Sequence, residues 1–233
     1  LRREIISAAD VRSSGLLKDR ILILHPEDAS KYNDMAVLDK ATDEWIDKCK
    51  HWRQYCTEQH YAQVNPVFVI QVANAGADRE VSNTDLVEVI ARIEKRLGRT
   101  FDLGEIVHTF GDVGDIELGG LKVLHVNAED ITDNKKIRVV MFKENLSTGW
   151  DCPRAETMMS FRRAEDITYI AQLLGRMVRT PLQSHILVDD SLNDVRLYLP
   201  YFNGENVQSV VNELQSSEVG DIPTDIDTES LEH

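Results

Sequence analysis

The run Val67-Phe68-Val69-Ile70 carries no polar side chain on either face. Successive side chains of a strand point to opposite faces, so such a run fits where both faces are covered, as in a parallel sheet packed between helices. Residues 137–142 (IRVVMF) are of the same kind, and Ile21-Leu22-Ile23-Leu24 is a shorter version halted by Pro26. Helical periodicity fills the gaps. Leu86, Val87, Ile90, Ile93 and Leu97 share a face, and Gly98 follows where a helix C-terminus favours glycine. Met35, Leu38, Trp45, Cys49, Trp52 and Cys56 mark a helix over 34–62. Further strands are expected at 105–110, 121–126, 156–161, 184–188 and 195–199, and helices at 166–179 and 207–214. Strands alternating with helices over 64–215 predict an α/β fold, a mainly parallel sheet flanked by helices. Residues 1–63 read as an N-terminal extension and helical insertion. Residues 216–233 read as an acidic disordered tail, with six acidic and no basic residues between 216 and 232.

Composition narrows the function classes. No apolar stretch approaches the ~18 residues a membrane span needs, and no secretory signal is present. Three cysteines, Cys49, Cys56 and Cys152, are too few for a disulfide scaffold, so a soluble cytoplasmic protein is expected. The chain starts at Leu1 and closes on Leu231-Glu232-His233, like the start of a purification tag, so a piece of a longer protein is expected. Net charge is −14, which excludes a surface that is basic throughout. Yet residues 135–180 hold nine basic and five acidic residues, a local excess suited to phosphate.

The helix at 166–179 is the informative one. Gln172, Arg176 and Arg179 are spaced four and three apart and share one face, while Ile170, Leu173, Leu174, Met177 and Val178 form an apolar body. Gly175 beside the stripe removes a side chain, at ~1 kcal/mol relative to alanine, as if a ligand or backbone came close. Arginine suits phosphate through its planar, permanently charged fork. Spacing alone favours the plainer reading, two surface arginines paired with carboxylates.

The segment Gln172-Leu-Leu-Gly175-Arg176-Met-Val-Arg179 resembles motif VI of superfamily 2 helicases, Q-x-x-G-R-x-x-R. Residues 137–151, a strand leading to Gly149-Trp150-Asp151, resemble motif V, and residues 66–72 resemble motif IV. The resemblance covers about residues 64–190. It implies a RecA-like lobe of the P-loop-NTPase type, the second motor lobe of an ATP-dependent DNA helicase or translocase. It further implies that Arg176 and Arg179 act as arginine fingers on ATP held with Mg2+ by the other lobe. Gln172, Gly149, Asp151 and Gly175 are then nucleotide-side residues, with Asp151 on the ribose. Lys143, Asn145 and Ser147, together with Gln71 and Asn74 at the end of the motif IV strand, become candidates for the nucleic-acid backbone. Lys143 stands where many relatives carry threonine. The phrase GWDCP and the insertion at 25–62 most resemble the helicase subunit of type III restriction enzymes. That likeness implies as partners DNA, an N-terminal motor lobe of the same parent chain and a methyltransferase subunit, with no membrane.

No G-x-x-x-x-G-K-[S/T] loop occurs, so this chain alone is expected to hydrolyse no ATP. Three other readings stand beside the motor. Cys49, His51, Cys56 and His60 offer zinc-type ligands, but the two cysteines fall in a helix's apolar stripe, and no metal site is expected. Asp130, Asp133 and Lys135 are the nearest thing to a nuclease cluster, in a polar connection that reads as solvated loop. A catalytically silent interaction scaffold is the third.

Overall fold

The computed structural model describes residues 8–31, 33–75, 82, 84–111, 113–144, 146, 150–163, 167–216 and 224–231. Helix α1 (Ala8–Ser13) leads to β1 (Arg20–Pro26), then α2 (Asp34–Glu58), β2 (Val67–Gln71) and α3 (Leu86–Leu97). Strands β3 (Ile106–His108), β4 (Ile116–Leu118), β5 (Leu121–His125), β6 (Val139–Phe142) and β7 (Ala155–Ser160) follow. Helix α4 (Ile167–Met177), β8 (Asp194–Tyr198), α5 (Gly204–Leu214) and β9 (Asp225–Leu231) complete the order.

The strands form one sheet in the order β4-β5-β3-β6-β2-β7-β8-β1-β9. Every neighbouring pair is parallel except the β4–β5 hairpin. Strand β2 lies at the centre, with Phe68 opposite Val139 of β6 and Thr157 of β7. Its alternate side chains enter two cores. Val67 and Val69 join Ile21, Ile23, Val140 and Met158 beneath α4 and α5, against Leu173, Leu174, Val207 and Val210. Phe68 and Ile70 join Leu22, Leu24, Val139 and Met141 beneath α2 and α3, against Leu38, Trp45, Val89 and Ile93. Each large side chain so buried stabilises by about 1.5–3 kcal/mol, which is why the central runs lack polar residues. This mainly parallel sheet flanked by helices is the α/β architecture expected of a RecA-like lobe.

The helix ends follow local chemistry. Asn33 caps α2 by accepting from the Met35 and Ala36 amides, and Asp85 caps α3 through the Glu88 amide. Gly98 closes α3 at φ 75°, a left-handed geometry open to glycine without a Cβ penalty.

Three features depart from the sequence expectations. Residues 184–188 are not a strand. The Asn193 side chain takes both backbone groups of Ile186, by 2.9 and 2.7 Å bonds, and Leu187 and Val188 are 84% and 74% exposed. The acidic stretch expected to be disordered contains β9, which pairs in parallel with β1 over seven residues. Its aspartates meet cations: Arg12 reaches Asp225 at 2.8 Å and Arg20 reaches Asp227 at 3.8 Å. Charged residues also suit an outermost strand, because they deter pairing with other chains. Third, the segment expected to be an N-terminal extension supplies β1, which lies inside the sheet between β8 and β9, and α2 packs on the sheet face.

Candidate functional site

Strands β7 and β8 are parallel neighbours, so the connecting α4 must run back from the C-terminal edge of the sheet to its N-terminal edge. Its last turn therefore lies at the N-terminal edge. The residues just before β7 lie there too. The fold thus brings Trp150 and Asp151 to Arg176 and Arg179, at least 25 positions further along the sequence. Arg176 Nη1 donates to the Trp150 carbonyl at 3.2 Å. Arg179 Nη1 donates to Asp151 Oδ2 at 2.6 Å. The other Asp151 oxygen, Oδ1, is buried and, among the described residues, accepts no hydrogen bond. Gln172 is exposed on the same helix stripe and Gly175 is half-buried beside it, while Ile170, Leu173, Leu174 and Met177 are buried.

Two buried cations that sequence reasoning did not single out hold this patch. The Arg154 guanidinium donates to five backbone carbonyls, those of Asn65, Ile131, Thr132, Asn134 and Ile137, at 2.7–3.3 Å. It ties the segment after Asp151 to the loop entering β6. Lys18 Nζ donates to the carbonyls of Pro153 at 2.7 Å and Met177 at 2.6 Å, bridging the segment just before β7 to the end of α4. Its own amide donates to Val178, and the Thr180 amide donates to Leu16, so residues 16–18 brace the chain on both sides of Arg179. Around Lys18 lies a buried charge cluster. Glu156 is 3.6 Å from Lys18 and 4.0 Å from Lys48, and accepts from the Trp52 indole. Lys48 pairs with Asp194 at 2.5 Å. Burial pushes the Lys18 ammonium down to about 8, with Glu156 opposing the shift. Burial likewise pushes the Glu156 carboxyl up, against the pull of Lys48 and Lys18. A cue existed in the sequence for neither cation, because a lone Lys or Arg beside a strand reads as surface.

The opposite, C-terminal edge holds a crevice. After β2 the chain enters α3 on one face, and after β7 it enters α4 on the other, so the connections diverge there, the usual geometry of a ligand crevice in open α/β sheets. The space is about 560 Å³ and is lined by Asn74, Thr84, Arg162, Arg163 and Tyr201, among others. Asn74 Nδ2 and Arg162 Nη1 both donate to Glu144, at 3.2 and 2.7 Å. The Lys143 ammonium lies 5.1 Å over the Phe110 ring, and burial lowers its pKa.

Of the residues expected to contact nucleic acid, Gln71 is corrected. It is fully buried, donating to the Lys143 carbonyl at 2.9 Å and accepting from Ser160 Oγ at 2.7 Å. Both ends of its amide are taken inside the sheet. Asn145, Ser147 and Gly149 lie outside the described residues. The local positive excess at the surface is also smaller than a count suggests, because Arg154 is buried. The cysteine–histidine set does not converge: Cys49 and Cys56 are buried on the inner face of α2, while His51 is exposed and pairs with Asp189 at 2.5 Å. Among the described residues, no group of three or more histidines, cysteines or carboxylates is placed to hold a metal, and no helix is long and apolar enough to cross a membrane.

No protein-family model matches the chain, and no curated protein matches it. The solved structures to which the chain is similar include two described as follows. One is described as Mss116p DEAD-box helicase domain 2 bound to an RNA duplex, at 10% identity and a TM-score of 0.40, covering 92% of this chain and 65% of that one. The other is described as the ATP-dependent Type ISP restriction-modification enzyme LlaBIII bound to DNA, at 12% identity and a TM-score of 0.42, covering 97% of this chain and 16% of that one. The chain thus spans about two thirds of the first and about one sixth of the second.

Proposed function

We propose that this chain is the second motor lobe of an ATP-dependent superfamily 2 DNA helicase or translocase, of the type III restriction kind. One observation carries the reading: the residues matching motifs V and VI, Asp151, Arg176 and Arg179, form a single patch on one edge of the sheet. A chance match in sequence has no reason to converge in space.

The residues fit a nucleotide presented by a partner lobe. Asp151 Oδ1 is a buried acceptor that no donor among the described residues reaches, suited to a ribose hydroxyl. Arg179 is 64% exposed at the side chain and Arg176 is exposed. Bound ATP with Mg2+ supplies the phosphoryl group and the metal's charge neutralisation. This chain's part is to place two guanidiniums where negative charge develops on the γ-phosphate, with Gln172 beside them. Arg179 first has to leave Asp151. An exposed pair of this kind is worth only ~0–1 kcal/mol, so exchange for a phosphate is inexpensive. Lys143 and Asn74, at the other edge, are the candidates for nucleic-acid backbone contact.

The test is nucleic-acid-stimulated ATP turnover by a two-lobed protein carrying this chain, with and without Arg176→Ala. A fall of ~10³-fold or more with nucleotide still bound establishes the finger. Unchanged turnover assigns the lobe to a scaffold role instead.

A further inference from the structure

A second polar cavity opens at the N-terminal edge of the sheet, below the starts of β3, β6 and β2. Its volume is about 240 Å³, and its walls include Arg53, Asn65, Glu105, Lys135, Lys136 and Arg138. Four cations face one carboxylate, a local excess of three positive charges in a chain of net −14. The carboxylate is itself neutralised from outside. Arg99 binds both Glu105 oxygens at 2.7 and 2.8 Å, and the Asp102 amide donates to one of them at 2.8 Å. Arg99 holds the Glu105 carboxyl below its ordinary range.

The cations differ in how firmly they are held. Arg138 stacks over Trp45 at 5.0 Å and is only 18% exposed at the side chain, a fixed guanidinium at the base. Arg53, Lys135 and Lys136 are exposed around it, and among the described residues none of the three has a carboxylate partner. The wall that carries the lysines is tied down by hydrogen bonds. Asn65 Nδ2 donates to the Lys135 carbonyl at 3.2 Å, and Arg154 donates to the carbonyls of Asn65 and Asn134. In so acidic a chain, cations left without carboxylates around one recess repel each other until an anion joins them.

We propose that this cavity binds a dianionic phosphate group, either free or as a terminal phosphomonoester. One planar guanidinium at the base and exposed ammonium groups at the rim match the oxygen geometry and charge of phosphate. The volume lies below the ~300 Å³ at which pockets for drug-sized ligands begin, so a phosphate with a short substituent fits and a whole nucleotide does not. A phosphodiester carries one charge and continues in both directions, which suits an open groove and not a recess. The site shares no residue with the Asp151–Arg179 patch and rests on no part of the motor reading.

The experiment titrates this chain with inorganic phosphate at constant ionic strength, following the backbone amide resonances of Asn65, Lys135 and Lys136 and the Trp45 indole. Saturable shifts are expected, weakened about tenfold or more in Lys135→Gln/Lys136→Gln, the loss of charge-assisted hydrogen bonds. Lys122→Gln, which removes a surface cation paired with Asp115, keeps wild-type affinity. A linear response equalled by chloride, or saturable binding that survives the double substitution, overturns the site. Competition by an oligonucleotide with a 5′-phosphate and by its 5′-hydroxyl twin separates the sources. Displacement by the phosphorylated form alone identifies a chain terminus, and displacement by neither identifies free phosphate. Equal displacement by both overturns the assignment to a dianion.

Discussion

Arg179 and Asp151, 28 residues apart in sequence, are joined by a 2.6 Å ion pair at the N-terminal edge of the sheet. The residue proposed to reach a γ-phosphate and the residue proposed to hold a ribose are thus each other's partner. Their side chains are 64% and 44% exposed, so water screens the pair and its contribution is small. Asp151→Asn is therefore expected to change unfolding free energy by less than ~1 kcal/mol in urea denaturation. A loss of several times that amount would make the pair a structural element and not an exchangeable one.

Arg154→Lys is expected to be among the most destabilising conservative substitutions in the chain. A lysine cannot reach five carbonyls arranged around a planar fork. Leaving several buried carbonyls unpaired costs about 3 kcal/mol or more, taking ~1–3 kcal/mol for each and allowing for incomplete additivity. Equilibrium denaturation measures it, and a cost under ~1 kcal/mol would show that water or a shifted lysine replaces the fork.

The Lys18 ammonium gives stability a pH dependence of known sign. The unfolded chain keeps that proton up to about 10.5, whereas the folded chain releases it at about 8. Between those values unfolding takes up a proton, so raising the pH favours the folded state through this group. Tyr201, held up to about 12 chiefly by burial, works in the opposite direction above pH 10. The Cys49 and Cys152 thiols, which burial raises above the ordinary 9.0, also oppose it as the pH passes that value, so the Lys18 contribution is read as a difference from a variant between pH 8 and 10. There, the midpoint of thermal unfolding of the wild type should rise relative to that of Lys18→Met. Parallel curves would mean that Lys18 titrates normally in the fold.

His108 acts on the acid side. Its Nδ1 accepts from the Phe110 amide at 3.1 Å, so the proton sits on Nε2, which donates to the Gly114 carbonyl at 3.0 Å. Burial lowers its pKa from 6.5 to about 4, so between pH 6.5 and 4 the unfolded chain holds a proton the folded chain lacks. Stability contributed by the neutral ring is present above pH 6.5 and is lost progressively as the pH falls toward 4. Denaturation at pH 7 and pH 5 should show a smaller acid loss for His108→Gln than for the wild type. An equal loss would place the acid sensitivity elsewhere.

Local pattern made the layers readable. Residues 67–70 and Val139–Phe142 were recognisable as central strands because burial on both faces disfavours polar residues in such a run. Helix α3 was recognisable because its apolar period and its glycine stop are local signals. Strand β9 was not, since seven residues with three acids read as solvated chain, and only the neighbouring β1 backbone with Arg12 and Arg20 makes a strand of them. Residues 184–188 misled in the other direction: Leu187 and Val188 lie exposed in a loop pinned by Asn193, and only Ile186 is buried.

The candidate site divides in the same way. The sequence by itself determined which side chains are available: a Gln-Arg-Arg stripe on an apolar helix, an aspartate after a buried strand, and an uneven distribution of charge. Those are properties of residue type and short spacing. Only the tertiary structure decided that Arg179 faces Asp151, that Gln71 is sealed inside the sheet, and that Arg154 and Lys18 serve backbone carbonyls in the interior. It also decided that Arg53 and Lys135, 82 positions apart, border one cavity. The reason is physical: a charged side chain's role is set by the groups within a few ångströms of it, and parallel strand order brings together segments that no local pattern relates.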